Sequence, residues 1–290
     1  MLAPRIAAII RAIRGAEIFR IVFLCGRSSI IHASKDPTDL TAIAFQFPEL
    51  SHNLCNLRCC LGRIPPVMRL FENLYAYPWT GNDNNCNSYL FAGTLTGGRH
   101  VIIDPGHTVT PAYREPALDR LIRSIARDGL NSSDIGLVVL SHGHPDHCEA
   151  AIALRDNYGS LVALHSADEP AYRRMGGKVD LFLDEGELKL GPAGSTVFRI
   201  YHSPGHTPGH ITVYWPERRV LIAGDCIFYR STGRTDFPGG SARELAETIK
   251  KLADLEIEHL LCGHAYGNSG IISGEEEVRE NFRTIGSFLF

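Results

Sequence analysis

The 290-residue chain has little of what marks a membrane protein, a disulfide-stapled scaffold or a nucleic-acid binder. Its eight cysteines form no Cys-x-x-Cys pair. With no clear secretory signal in a chain this long, a disulfide framework is not expected, so the cysteines read as reduced and the compartment as cytoplasmic. No apolar run approaches the roughly 20 residues that a spanning helix needs. The most apolar stretch, residues 6–24, is broken by Arg11, Arg14, Glu17 and Arg20, and each charge at the centre of a span costs about 3 kcal/mol. The same breaks exclude the continuous apolar core of a secretory signal. Five arginines before residue 30, against one acid, have the look of an organellar presequence, but the serine richness of such segments is missing. The net charge of −3 offers no excess of positive charge to a polyanion, so neither nucleic acid nor a membrane surface is an expected partner.

Charge is unevenly spread. Residues 1–67 hold eight Lys/Arg and four Asp/Glu, a net of +4 that leaves −7 for the remainder of the −3 total. Four cysteines, Cys25, Cys55, Cys59 and Cys60, also lie in this segment. With His52 they evoke a metal knuckle, but none of their spacings suits a zinc finger. From Ser28 to Val67 no helical or strand period is sustained, and Pro65-Pro66 breaks the chain just ahead of Met68. Two parts are therefore expected: an N-terminal extension, 1–67, outside the domain, and a domain, 68–290, with Met68 as the start of translation.

Within 68–290, strands are expected at Ser88–Ala92 and His100–Asp104 around a Gly-Gly turn, then at Gly136–Leu140, Leu161–His165, Val197–Tyr201, His210–Tyr214, Val220–Ala223 and His259–Cys262. Helices are expected at Glu115–Arg127, with apolar residues at 117, 118, 121, 122, 125 and 126, and at Ala242–Leu252 and Glu275–Ser287. Strands and helices mixed in this order suit two sheets packed face to face with helices outside.

The strongest chemical signal is Ser141-His142-Gly143-His144-Pro145-Asp146-His147, which places three imidazoles and a carboxylate directly after an apolar strand. Such a loop can aim His142 and His144 at one point while Asp146 and His147 turn to a neighbouring one. Downstream come Ser203-Pro204-Gly205-His206-Thr207-Pro208-Gly209-His210, Gly224-Asp225 and Cys262-Gly263-His264. Each candidate stands where a strand meets a loop, a placement that combines rigid support with access. Imidazole and carboxylate are good ligands for zinc, iron or manganese.

In order and spacing, Asp104 (in Asp-Pro-Gly), the HxHxDH loop, His206, Asp225 and His264 resemble the signature of the metallo-β-lactamase superfamily, over about Tyr89 to His264. The resemblance implies an α/β fold, the four-layer αββα sandwich. It assigns His142, His144 and His206 to a first metal and Asp146, His147 and His264 to a second, with Asp225 bridging and Asp104 supporting the loop. Two divalent ions are implied; zinc is the first expectation, and a set without thiolate leaves iron and manganese open. A metal brings the pKa of bound water from above 15 to about 7. The resulting hydroxide would attack an acyl carbon while the second metal stabilises the oxyanion, and Asp146 is the catalytic candidate that orients the nucleophile. A thiolate leaving group, with a pKa near 8.5, needs little help, which points to a small-molecule thioester as substrate.

Gly233-Arg234-Thr235-Asp236-Phe237 is similar to a stretch shared by glyoxalase II-like hydrolases and persulfide dioxygenases, and Cys262-Gly263-His264-Ala265-Tyr266 to the end of the glyoxalase II metal motif. By that likeness Tyr266 contacts substrate and Arg234 anchors the site loop, a packing tyrosine and a structural arginine being the alternatives. Glyoxalase II proper has a helical C-terminal domain that helps bind glutathione, whereas only 26 residues follow His264 here. A shorter bacterial-type glyoxalase II-like hydrolase, acting on a thioester such as an acylglutathione, is the closer likeness. Two alternatives stand beside it: a persulfide dioxygenase with one iron on His142, His206 and Asp225, and a non-enzymatic metal-binding structural or regulatory protein on the same fold. Cys148, Cys226 and Cys262 adjoin the ligands but read as small apolar residues packed behind them. N-terminal sequencing of the native protein is expected to begin at Met68; a product that starts well upstream and needs those residues to fold would refute this.

Overall fold

The computed structural model describes residues 19–25, 28–34 and 68–289. The chain divides into two units, Met1–Ile64 and Pro65–Phe290. In the first, β1 (Phe19–Cys25) and β2 (Ser28–Ser34) pair as an antiparallel hairpin. β2 falls in the stretch from Ser28 to Val67 in which no sustained strand period was expected: its sequence, SSIIHAS, does not alternate apolar and polar residues. His52, Cys55, Cys59 and Cys60 lie outside the described residues.

The second unit is built on two sheets. One has the order β3 (Met68–Arg69), β4 (Leu74–Tyr77), β5 (Ser88–Phe91), β6 (His100–Ile103), β7 (Ile135–Val139), β8 (Leu161–Leu164) and β9 (Leu181–Phe182). The other has the order β10 (Gly186–Leu190), β11 (Thr196–His202), β12 (Ile211–Trp215), β13 (Val220–Gly224), β16 (His259–Cys262) and β17 (Ile271–Ser273). A small hairpin, β14 (Ile227–Phe228) with β15 (Ser231–Thr232), stands apart from both. Among the described residues the unit has five α-helices: α1 (Ala117–Arg127), α2 (Pro145–Tyr158), α3 (Glu169–Arg174), α4 (Ala242–Ala253) and α5 (Glu275–Leu289).

Alternation along the strands sorts the side chains into layers. Val101, Ile103, Leu137 and Val139 point into a core shared with Phe198, Ile200, Val213, Trp215 and Ile222 of the second sheet. Ile102 and Val138 point the other way, onto Leu118, Leu121 and Ile125 of α1 and Cys148, Ala151 and Leu154 of α2. Leu221, Ala223 and Leu260 meet Leu245, Ile249 and Leu252 of α4 and Val278 and Ile285 of α5. The result is the expected αββα sandwich. Strands β5, β6, β7, β12 and β13 are buried throughout, as apolar strands covered on both faces must be. No helix among the described residues is long and apolar enough to cross a membrane.

Helix α2 was not expected, and it corrects the reading of 141–147 as one loop: Asp146 and His147 belong to its first turn. Its buried side is His147, Cys148, Ala150, Ala151 and Leu154, too small and polar to show as an apolar stripe. Strands β4, β10 and β17 also escaped expectation, being short or partly exposed.

Packing between the sheets centres on Phe91, whose ring lies 4.7 Å from Phe198 and 5.4 Å from Trp215. Phe91→Ala is expected to cost about 3–5 kcal/mol of stability, whereas Leu161→Ala, at a site 48% exposed, should stay within about 0.5 kcal/mol. Urea denaturation of both variants checks the contrast.

Candidate metal centre

Strands β6 to β9 run parallel, and so do β13 and β16. Parallel neighbours end together, so the residues that follow their C-terminal ends share an edge. Asp104 follows β6, Ser141 to His144 lie between β7 and α2, Asp225 follows β13 and His264 lies just beyond β16. His206 stands on the β11–β12 turn.

Asp104 adopts a left-handed backbone, φ 52°, a conformation that costs a non-glycine residue of order 1–3 kcal/mol and persists only where its surroundings demand it. Its Oδ1 accepts the Ser141 N–H at 2.7 Å. Its Oδ2 accepts the Ser141 hydroxyl at 2.6 Å and faces His147 Nδ1 at 2.9 Å.

These contacts assign protons. A carboxylate only accepts, so His147 Nδ1 is the donor and Nε2 points inward. Ser141 Oγ donates to Asp104 and so accepts from His142 Nδ1, 2.9 Å away. The Arg234 carbonyl accepts from His206 Nδ1 at 2.7 Å. Three rings are thus tied at Nδ1 and turn Nε2 to the centre. There His144 Nδ1 lies 2.9 Å from both His142 Nε2 and His206 Nε2, and His147 Nε2 lies 3.2 Å from His264 Nε2.

Asp225 stands between the two groups. Its Oδ2 is 3.6 Å from His206 Nε2 and 3.4 Å from His264 Nε2. Its Oδ1, 3.1 Å from His147 Nε2, is buried without a hydrogen-bond partner. Asp146 Oδ2 is 3.4 Å from His264 Nε2. The structure therefore brings all seven ligand candidates together. Three groups have donor atoms within 4.8 Å of one another: His142, His144 and His206; His142, His147 and Asp225; and Asp146, His147 and His264.

The electrostatics differ between the halves. Burial above all, then neighbouring imidazoles, holds His142 well below the usual histidine range and lowers His144. Burial opposes charge on His147 and His264 too, but Asp225 with Asp104 outweighs it at His147, and Asp225 with Asp146 lifts His264 to about 9. Asp225 and Asp146 are held down against burial by His264 and His147, Asp146 to about 2. In one half, charge on His142 and His144 is disfavoured while ring nitrogens face each other at 2.9 Å; in the other, charge on His147 and His264 is favoured by the carboxylates between them. Both patterns, with the orphaned Asp225 Oδ1, fit bound metal.

The sequence pattern of the "Metallo-beta-lactamase superfamily" matches residues 81–264. The chain belongs to the metallo-β-lactamase superfamily. It is 35% identical over 182 residues to the hydroxyacylglutathione hydrolase GloC of Haemophilus influenzae, covering 57% of this chain and 79% of that one. A hydroxyacylglutathione hydrolase of Chelativorans sp. is 30% identical over 162 residues, covering 56% of this chain and 59% of its own length. A solved structure, TTHA1623 in a di-iron-bound form, superposes with a TM-score of 0.52 at 32% identity, covering 65% of this chain and 91% of that one.

Within this metallo-β-lactamase frame, the Arg234 guanidinium grips Asp236 at 2.9 and 2.6 Å and lies 4.5 Å over the Phe237 ring. It is the Arg234 backbone that touches a site histidine. Tyr266, half exposed, stacks on His264 at 5.1 Å and donates to Asn84 Oδ1 at 3.3 Å. Asn84 in turn donates to Asp146 Oδ2 at 2.6 Å. Cys86, Cys148, Cys226 and Cys262 are free and buried, and none joins a donor group among the described residues. Sequence reasoning missed His210, whose Nε2 accepts the Asp225 N–H at 3.1 Å, and Asp168. The Pro-Gly-His repeat four residues after His206 signalled the first; nothing local signalled the second.

Protonation makes the stability of metal-free protein depend on pH. For the raised pair, His147 and His264, stability is full below the ordinary value of 6.5 and is lost as pH climbs above it, for His264 toward about 9. For the lowered histidines, His142, His144 and His210, the unfolded chain binds more protons below 6.5, so stability is lost as pH falls from there. Chelator-treated protein should be most stable near pH 6.5 and decline on both sides, as urea titrations across pH 5–9 will record.

Proposed function

We propose that the chain is a metal-dependent thioester hydrolase acting on an acylated small thiol such as an acylglutathione. His142, His144 and His206 would hold one divalent ion, Asp146, His147 and His264 a second, with Asp225 between them. The observation that carries this reading is the convergence of three ring nitrogens: His144 Nδ1 faces two inward Nε2 atoms at 2.9 Å but can share only one proton with them. A cation among the three resolves the conflict.

Zinc suits this donor set best; iron and manganese suit it too, since no thiolate takes part. A bound pair of such ions supplies acidified water at neutral pH and a Lewis acid for a carbonyl oxygen. The chain's own groups supply the rest. Asp146, ionised at neutral pH and steadied by Asn84, accepts a hydrogen bond from the attacking water and turns its lone pair toward the acyl carbon. Burial pushes the Tyr266 phenol up to about 12, so it stays a donor throughout the working range. The faces of Tyr266 and Phe237, both partly exposed, bound the site on the His264 and His144 sides and favour an apolar acyl portion. A thiolate leaves without a dedicated acid. Burial of all four domain cysteines is compatible with work in the reducing cytoplasm.

The intact second set, with His147 oriented by Asp104, favours two ions over the single iron of a persulfide dioxygenase and favours an enzyme over a purely structural metal protein. Protein purified without added metal should contain two ions per chain and hydrolyse a glutathione thioester, with activity lost to chelator and restored by zinc. Asp146→Asn should lower kcat about 10²- to 10⁴-fold with little change in KM. Oxygen consumption with glutathione persulfide and no thioesterase activity would overturn the assignment.

A further inference from the structure

Asp168 is 4% exposed and lies outside the ligand pattern. It closes the short turn Ser166–Asp168 after β8 and precedes α3. Its carboxylate accepts three hydrogen bonds. Oδ2 takes the Gly143 N–H at 2.8 Å and the Thr207 hydroxyl at 2.7 Å, and Oδ1 takes the Gly209 N–H at 2.7 Å. Gly143 separates His142 from His144, while Thr207 and Gly209 follow His206. One buried carboxylate therefore joins the β7–α2 segment of one sheet to the β11–β12 turn of the other.

The approach is close on both sides. A Cβ at Gly209 would lie 2.6 Å from the Asp168 nitrogen and 2.7 Å from its Oδ1. A Cβ at Gly143 would lie 3.1 Å from the Asp168 carbonyl oxygen. Glycine at these two positions lets both segments touch the same residue, independently of the hydrogen bonds. Three donors converge on two oxygens, and an amide cannot replace this arrangement, because its NH2 would confront at least one N–H.

We infer that Asp168 is a positioning residue for the first metal site: it sets the separation of His142 and His144 from His206 without touching an ion. This rests on the metal-centre reading above. Asp104 acts on the neighbouring site through His147 directly; Asp168 acts through two backbone N–H groups and the Thr207 hydroxyl, none of them a ligand, so its effect falls on the spacing of three ligands and not on the protonation of one.

The test is zinc binding by calorimetry to chelator-stripped protein. Wild type should take up two ions per chain. Asp168→Asn should keep the metal-free circular dichroism spectrum, while one site weakens about 10- to 100-fold and the other changes less than about 3-fold. In a His264→Ala background, where the His142–His144–His206 site remains intact, the full loss should reappear in the surviving site. Thr207→Val, which removes one donor of three, should shift the same site in the same direction by less. Wild-type affinities at both sites in folded Asp168→Asn overturn the inference, as does equal weakening of both sites with a lowered metal-free melting temperature, which marks a purely structural role. Should Asp168→Asn fail to fold, Thr207→Val decides, unchanged affinity at both sites being the overturning result. Wild type that binds no zinc sinks the metal-centre reading itself, a failure distinct from the others.

Discussion

Bare ring nitrogens cannot rest 2.9 Å apart in a buried space unless something positive lies between them. The arrangement of His142, His144 and His206 obeys that constraint only through what surrounds it. Three outward nitrogens are occupied: Ser141 receives His142, the Arg234 carbonyl receives His206, and Asp104 receives His147. With these outer nitrogens committed, His142, His206 and His147 cannot rotate away, and their inner nitrogens stay aimed at the centre. The left-handed backbone of Asp104 is part of the cost of that aim, borne by the well-packed sheets behind it.

The fold supplies the convergence cheaply. Parallel strands finish on one edge, and the helix dipoles and loops that follow gather there, which is why open α/β sheets bind ligands at their carboxyl ends. Two sheets, each with a parallel segment, here face each other, so residues distant in sequence meet across the sandwich edge. Asp168 and the glycines beside it then bring the two sides into contact.

Much of this was legible in the residues. The strand ends that carry His142, Asp225 and His264 stand out because an apolar run stops at a polar residue flanked by glycine. The mixed order of strands and helices suited two sheets with helices outside, while the four-layer αββα arrangement came from the resemblance to the metallo-β-lactamase superfamily and not from the runs. Helix α2 was illegible because its inner face is made of alanine, cysteine and histidine, residues that carry no apolar stripe, and because its first turn is also part of the centre. Asp168 was illegible for a different reason: a single acid beside Ser166 and Glu169 looks like any solvated turn, and its three partners are distant in sequence. The hairpin at Phe19–Cys25 and Ser28–Ser34 shows the limit of periodicity in a segment crowded with arginine.

The parallel pairing of β13 with β16 has one more consequence. Antiparallel neighbours could be joined by a tight turn; parallel ones need a crossover, and here it runs through the β14–β15 excursion, Phe237 and α4. Both ends of that crossover are pinned, one at Asp225 and the other at the strand leading to His264, while Phe237 between them lies against the His144 and His206 rings. The exposed side chains of this crossover, such as those of Arg234 and Asp236, can be exchanged without touching a ligand, whereas the Arg234 carbonyl must keep its place to hold His206. The surroundings of the centre can thus vary at side chains of this span while its backbone keeps the donor set aimed.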